Sequence, residues 1–81
     1  MSPDQLRTAL RELNGEREAT FAFAGFAESG HLTVARAMLI PDEPDHLVKV
    51  TDGQGVYIVD AERVVWVKIA LPRKEPTKVS R

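Results

Sequence analysis

The sequence predicts a mainly β domain of the α+β class: an N-terminal helix followed by five strands in a small β-barrel-like domain. Three observations predict it. A helix-capping signature opens the chain, with leucines following at helical spacing. Several runs of strand length, rich in β-branched and aromatic residues, then succeed one another, divided by Gly, Pro and Asp. The run from Val56 to Leu71, VYIVDAERVVWVKIAL, is the stretch against which the rest of the chain has to pack.

The helix spans 3–14 in this reading. Ser2 is its N-cap, Pro3 sits at N1 where a missing N–H costs nothing, and Gln5 completes a capping box. Leu6, Leu10 and Leu13 form one stripe, with Ala9 beside them, and Asn14-Gly15 ends the helix because glycine takes the left-handed C′ conformation. Three leucines suit docking on the chain's own sheet; a partner-binding helix is the alternative.

The strands fall at about 18–26, 31–40, 46–51, 55–60 and 63–71. In the first, Ala19, Phe21 and Phe23 alternate with Thr20, Ala22 and Ala24, and the phenylalanines two apart beside Gly25 favour strand over helix. Glu28-Ser29-Gly30 is a turn. HLTVARAMLI follows, with Leu32, Val34, Met38 and Ile40 inward. Arg36 falls in the same apolar register, which calls for a bulge, an outward bend or a barrel end. Pro41 to Asp45 is an acidic loop whose two prolines would break any ladder. Asp52-Gly53-Gln54-Gly55 marks a hairpin. The last two strands are joined by a tight turn at Asp60-Ala61-Glu62-Arg63. In the last, Val65, Val67, Ile69 and Leu71 form the expected buried face, and Val64, Trp66, Lys68 and Ala70 lie opposite. Residues 72–81, PRKEPTKVSR, have two prolines, high charge and no periodicity, the composition of a disordered basic tail.

At 81 residues the chain reads as one domain, small enough that self-association would add noticeably to its stability. It has no cysteine, which removes disulfides, thiolate metal sites and thiol nucleophiles and fits a reducing cytoplasm. The start, MSPDQLRTALREL, lacks the basic and apolar regions of a signal peptide, and FAFAGFA is too short to span a bilayer. The expected location is therefore cytoplasmic, without membrane contact. The net charge of −1 conceals an asymmetry: −4 over residues 1–71 and +3 over 72–81. An acidic body argues against a broad phosphate-tracking surface.

Chemistry is poorly supported. Asp42, Glu43, Asp45 and His46 cluster, but their spacing matches neither the HExxH zinc helix nor the calcium loop, and an acidic surface loop explains them. No nucleophile elbow, no oriented acid–base pair and no phosphate loop is present. The expectation is a non-enzyme with no catalytic residues, metal or cofactor. For nucleic acid, Trp66, Tyr57 and Phe26 offer stacking faces, and Arg36, Lys49, Arg63, Lys68, Arg73 and Lys74 are the candidate phosphate contacts. The competing fate of the aromatics is the core, with the helix or the tail covering Trp66.

The order of a capped helix, five strands, a hairpin before the fourth and a very short link to the fifth resembles the Sm-like small barrels, including their bacterial RNA-chaperone branch, and the resemblance implies a bent five-stranded antiparallel sheet that closes as a small barrel over residues 2–71. The best local match is GVYIVDAERVVWVKI, similar to the strand, one-turn link and strand of the second Sm motif. The link here has neither the Arg-Gly pair nor the Tyr-Lys-His triplet of members that bind RNA, and the region around Lys49 lacks their Asn-rich loop, so no RNA-binding residue is carried over. The resemblance implies a binding or assembly module, with RNA as one candidate partner and a protein partner without nucleic acid as the alternative. It also implies edge-to-edge pairing of the fifth strand with the fourth of another copy. The expected homo-oligomer places Val56, Ile58, Val64 and Trp66 at or near that contact.

Overall fold

A computed structural model describes residues 1–25 and 30–72. Helix α1 covers Pro3–Leu10 and is capped as expected: the Gln5 N–H donates to Ser2 Oγ at 3.1 Å, and the Ser2 N–H donates to Gln5 Oε1 at 3.0 Å. It is shorter than the sequence suggests because the chain tightens after Leu10, where the Leu13 N–H bonds the Leu10 carbonyl at 3.0 Å. That turn still delivers Leu13 to the core beside Leu6 and Leu10. Gly15, at φ +87°, then lets the chain reverse, and its N–H reaches the Ala37 carbonyl.

Five strands follow: β1 (Arg17–Phe23), β2 (His31–Leu39), β3 (Val48–Thr51), β4 (Val56–Val59) and, after a 3₁₀ turn at Ala61–Arg63, β5 (Val64–Ile69). All pairings are antiparallel, in the order β4-β3-β2-β1-β5. The first half of β2 pairs with β1, and its end, Met38 and Leu39, pairs with β3. Between these halves β2 carries an extra residue, since Arg17 faces Ala37 but Ala19 faces Val34. Arg36 lies in this bulge at φ +51°. The bulge explains how an arginine occupies an apolar register: it is turned to solvent where the strand changes partners.

The expected closure into a barrel is not what forms. β4 and β5 stand at opposite ends of the strand order, and the 3₁₀ turn joining them is not a hairpin, so among the described residues the five-stranded sheet is open with two free edges. The expected inner face of β5 also needs correction. Phe23 faces Val64 and Ala22 faces Trp66, so Val65 is an unpaired extra residue, 58 % exposed, and Val64 instead is buried. Leu71 lies beyond the strand and is exposed.

The face of the sheet turned to α1 holds the core. Phe21, Ala19, Val34, Ala37, Val48, Val50, Val59 and Val64 face the leucines of α1, and Phe23, Tyr57, Val67 and Ile69 pack around them. α1 packs chiefly against β2, β3 and the 3₁₀ turn. Met1 ties the helix entry to that turn by donating to the carbonyls of Ala61 and Val64. Phe26, the Glu28-Ser29 part of the expected turn and residues 73–81 of the expected tail lie outside the described residues. No helix among the described residues is long and apolar enough to cross a membrane.

Candidate interaction surface

Each free edge of the sheet exposes apolar side chains. On β4, alternation turns Tyr57 and Val59 toward the core and leaves Val56 and Ile58 outside, Ile58 at 62 % exposure. On β5 the bulge exposes Val65, and Trp66 remains 44 % exposed. Of the four residues expected at a contact, Val56 and Ile58 lie together on one edge and Trp66 on the other. Val64, only 3 % exposed, is part of the core and not available. In the strand order β3, β2 and β1 lie between the two edges.

Trp66 does not sit under α1. Its ring lies 5.6 Å from that of His31, tilted by 50°, with Ala22 of β1 between the two strands. The small side chain of Ala22 is what lets the two rings meet over the sheet. In the next row along this face, Thr20 stands between Thr33 and Lys68, and the Thr20 and Thr33 hydroxyls are 3.2 Å apart.

The candidate cations are dispersed. Arg36 is on the β2 bulge and exposed. Lys49 is spent within the fold: its ammonium bonds the carboxylates of Asp45, at 2.8 Å, and Glu43. These hydrogen bonds, Asp45 first, hold the Lys49 ammonium above the usual lysine range, and the bond from Lys49 holds Asp45 below the usual carboxylate range. Arg63 pairs with Asp60 at 3.4 Å. Lys68 is exposed on the face that carries Trp66 and makes no ion pair among the described residues. Arg73 and Lys74 fall outside the described residues.

The acidic loop resolves into a fastening that the sequence reading overlooked. Arg7, on α1, is buried and donates to the carbonyl of His46 at 2.6 Å, while its Nη2 lies 3.1 Å from Asp42 Oδ1. Asp42 also meets His46 Nδ1 at 3.3 Å. His46 adopts φ +58°, a conformation that costs a non-glycine residue about 1–2 kcal/mol, and the Arg7 bond holds it there. The signal for Arg7 was its place on the helix, four after Pro3 and three before Leu10, in the stripe that faces inward. With Asp42 given to Arg7, and Glu43 and Asp45 given to Lys49, the loop is a structural network. No group of three or more His, Asp or Glu among the described residues is arranged to hold a metal ion.

Comparison with known protein families, with curated proteins and with solved structures finds no match.

Proposed function

We propose that the chain is a small non-enzymatic binding and assembly module of Sm-like type, in which the β4 edge of one copy pairs with the β5 edge of the next. The observation that carries the reading is the pair of sheet edges left unpaired among the described residues, each bordered by exposed apolar residues: Val56 and Ile58 at one, Val65 and Trp66 at the other. An open edge presents unpaired N–H and C=O groups, and proteins normally shield such edges with charge, proline or a covering element. Neither edge strand contains proline, and the side chains at β4 are all uncharged. The leading helix, the bent five-stranded sheet and the one-turn link from β4 to β5 support the Sm-like reading. Because the two edges differ, the contact is head-to-tail, which builds rings or open chains and not two-fold dimers. Burying Trp66 against a neighbour contributes roughly 2–3 kcal/mol by area, before ordering costs.

Light scattering over a range of concentrations tests the proposal. Assembly is expected to exceed two copies and to fall away when Ile58 is replaced by Lys; a monomer at every concentration would remove it. RNA binding is the second reading, favoured by Trp66 and Lys68 on one exposed face. Labelled short RNA, titrated in the same samples, is expected to bind more weakly as salt rises if phosphates dominate. Absence of binding at low salt leaves an assembly or accessory module whose partners are proteins.

A further inference from the structure

We infer that the β4 strand of a second copy pairs antiparallel with β5 and lays its Val56 and Ile58 on the flank of the core formed by Val67 and Ile69. The inference rests on the head-to-tail contact proposed for the two edges, and assigns to it a direction, a register and the side chains that meet.

Backbone direction carries it. Along a strand of an antiparallel sheet, successive residues turn their N–H and C=O groups alternately to one side and to the other. The Ala70 N–H donates to the Glu18 carbonyl at 3.0 Å, so Ala70, and with it Lys68 and Trp66, bonds toward β1. Val67 and Ile69 therefore turn their backbone groups to the free edge, while their half-buried side chains pack against the core. At the other edge, the Ile40 N–H donates to the Lys49 carbonyl at 2.9 Å, which commits Lys49 to β2 and leaves Val48 and Val50 to bond Val59 and Tyr57 of β4. Val56 and Ile58 then face the free edge with their backbone groups, and their side chains, 56 % and 62 % exposed, stand on the side of the sheet away from the core.

Residues bonded across an antiparallel ladder stand directly opposite, with side chains on the same side of the sheet. An antiparallel contact therefore brings Val56 and Ile58 of one copy to the core side of the other copy's β5, where two half-buried aliphatic side chains meet them. With Ile58 opposite Val67 and Val56 opposite Ile69, all four residues of β4 match the last four of β5, and the ladder stops short of the Val65 bulge. Sliding β4 toward the bulge runs it into Val65, and sliding it the other way runs it past the end of the strand. A parallel ladder would instead set Val56 and Ile58 beside Trp66 and Lys68, one of which is charged. It would bury less apolar surface, and parallel pairing is less stable per residue and is found almost only where both faces of a sheet are covered.

The chain has no cysteine, so each introduced thiol is unique. Ile58→Cys is mixed in equal amount with isotopically labelled Val67→Cys, or with labelled Lys68→Cys. Each mixture is treated with a short bis-methanethiosulfonate cross-linker, and mass spectrometry measures the links between unlike chains. Sedimentation of the same samples, beside the parent, shows whether the copies assemble and whether the variants behave as the parent does. Assembled samples are expected to give several-fold more of the Ile58–Val67 link than of the Ile58–Lys68 link. Assembly with the Lys68 link equal or in excess would overturn the antiparallel direction and leave the head-to-tail contact standing. Assembly with neither link would overturn the register. Monomers throughout, the parent included, would remove the head-to-tail contact and this inference with it.

Discussion

The guanidinium of Arg7 gathers oxygen acceptors from two parts of the chain, Asp4 on its own helix and the 42–47 loop, and so decides where that loop lies. Arg7→Leu keeps bulk in the stripe but leaves the His46 carbonyl without its donor and Asp42 with His46 Nδ1 alone. Hydrogen bonds to a charged group contribute about 1.5–3 kcal/mol and the desolvation of Arg7 offsets part of this, so a loss of about 2 kcal/mol is expected in urea unfolding. Stability equal to the parent would show that the clamp is incidental. Asp52 is the second residue whose environment has a measurable consequence. Backbone N–H groups of Gln54 and Gly55, and then the Tyr57 hydroxyl, hold its carboxyl below the usual range. A carboxyl depressed in the folded state adds stability above its unfolded pKa, about 3.9, and that stability is lost as pH falls through the folded value. Asp52→Asn is therefore expected to lower the urea midpoint near neutral pH and to flatten its decline below about pH 4. A parallel acid limb in the variant would contradict the role given to the turn.

At the scale of elements, the two bulges do more than the strands to shape the sheet. One at Arg36 lies just before β2 passes from β1 to β3, and one at Val65 turns Val64 inward while keeping Trp66 outside. Arg36→Gly is expected to raise stability by about 0.5–1 kcal/mol, because a left-handed non-glycine residue costs about 1–2 kcal/mol and glycine's extra chain entropy returns part of it. A clear destabilisation would mean that the arginine side chain holds the bend. The helix was legible because capping is local: Ser2, Pro3 and Gln5 act within one turn. Strand positions were legible from alternation, and Arg36 in an apolar row signalled an irregularity without deciding between a bulge, an outward bend and a barrel end. Val65 gave no such sign, since an inserted valine leaves an apolar run apolar whichever face it joins, and the face assignment of β5 failed there. Arg7 was missed because a charged residue between leucines reads as solvent-facing until its partners, nearly forty residues on, are known.

For the whole molecule, closure was the feature that local patterns could not decide. Whether β4 and β5 meet depends on the path of the 3₁₀ turn, and Asp60 to Arg63 reads equally as a tight hairpin or as a helical link. The open sheet changes the meaning of its apolar edges: Ile58 and Trp66 lie at opposite ends, so each can serve a different neighbour. That arrangement allows the central claim to be tested by complementation between two variants, Ile58→Lys with an intact β5 edge and Trp66→Asp with an intact β4 edge. Sedimentation equilibrium of each alone is expected to give the 9.0 kDa chain. Their equimolar mixture is expected to give a species of twice that mass and nothing larger, since one good edge of each kind remains. Variants that still assemble alone, or a mixture that stays monomeric while the parent assembles, would contradict head-to-tail pairing of β4 with β5.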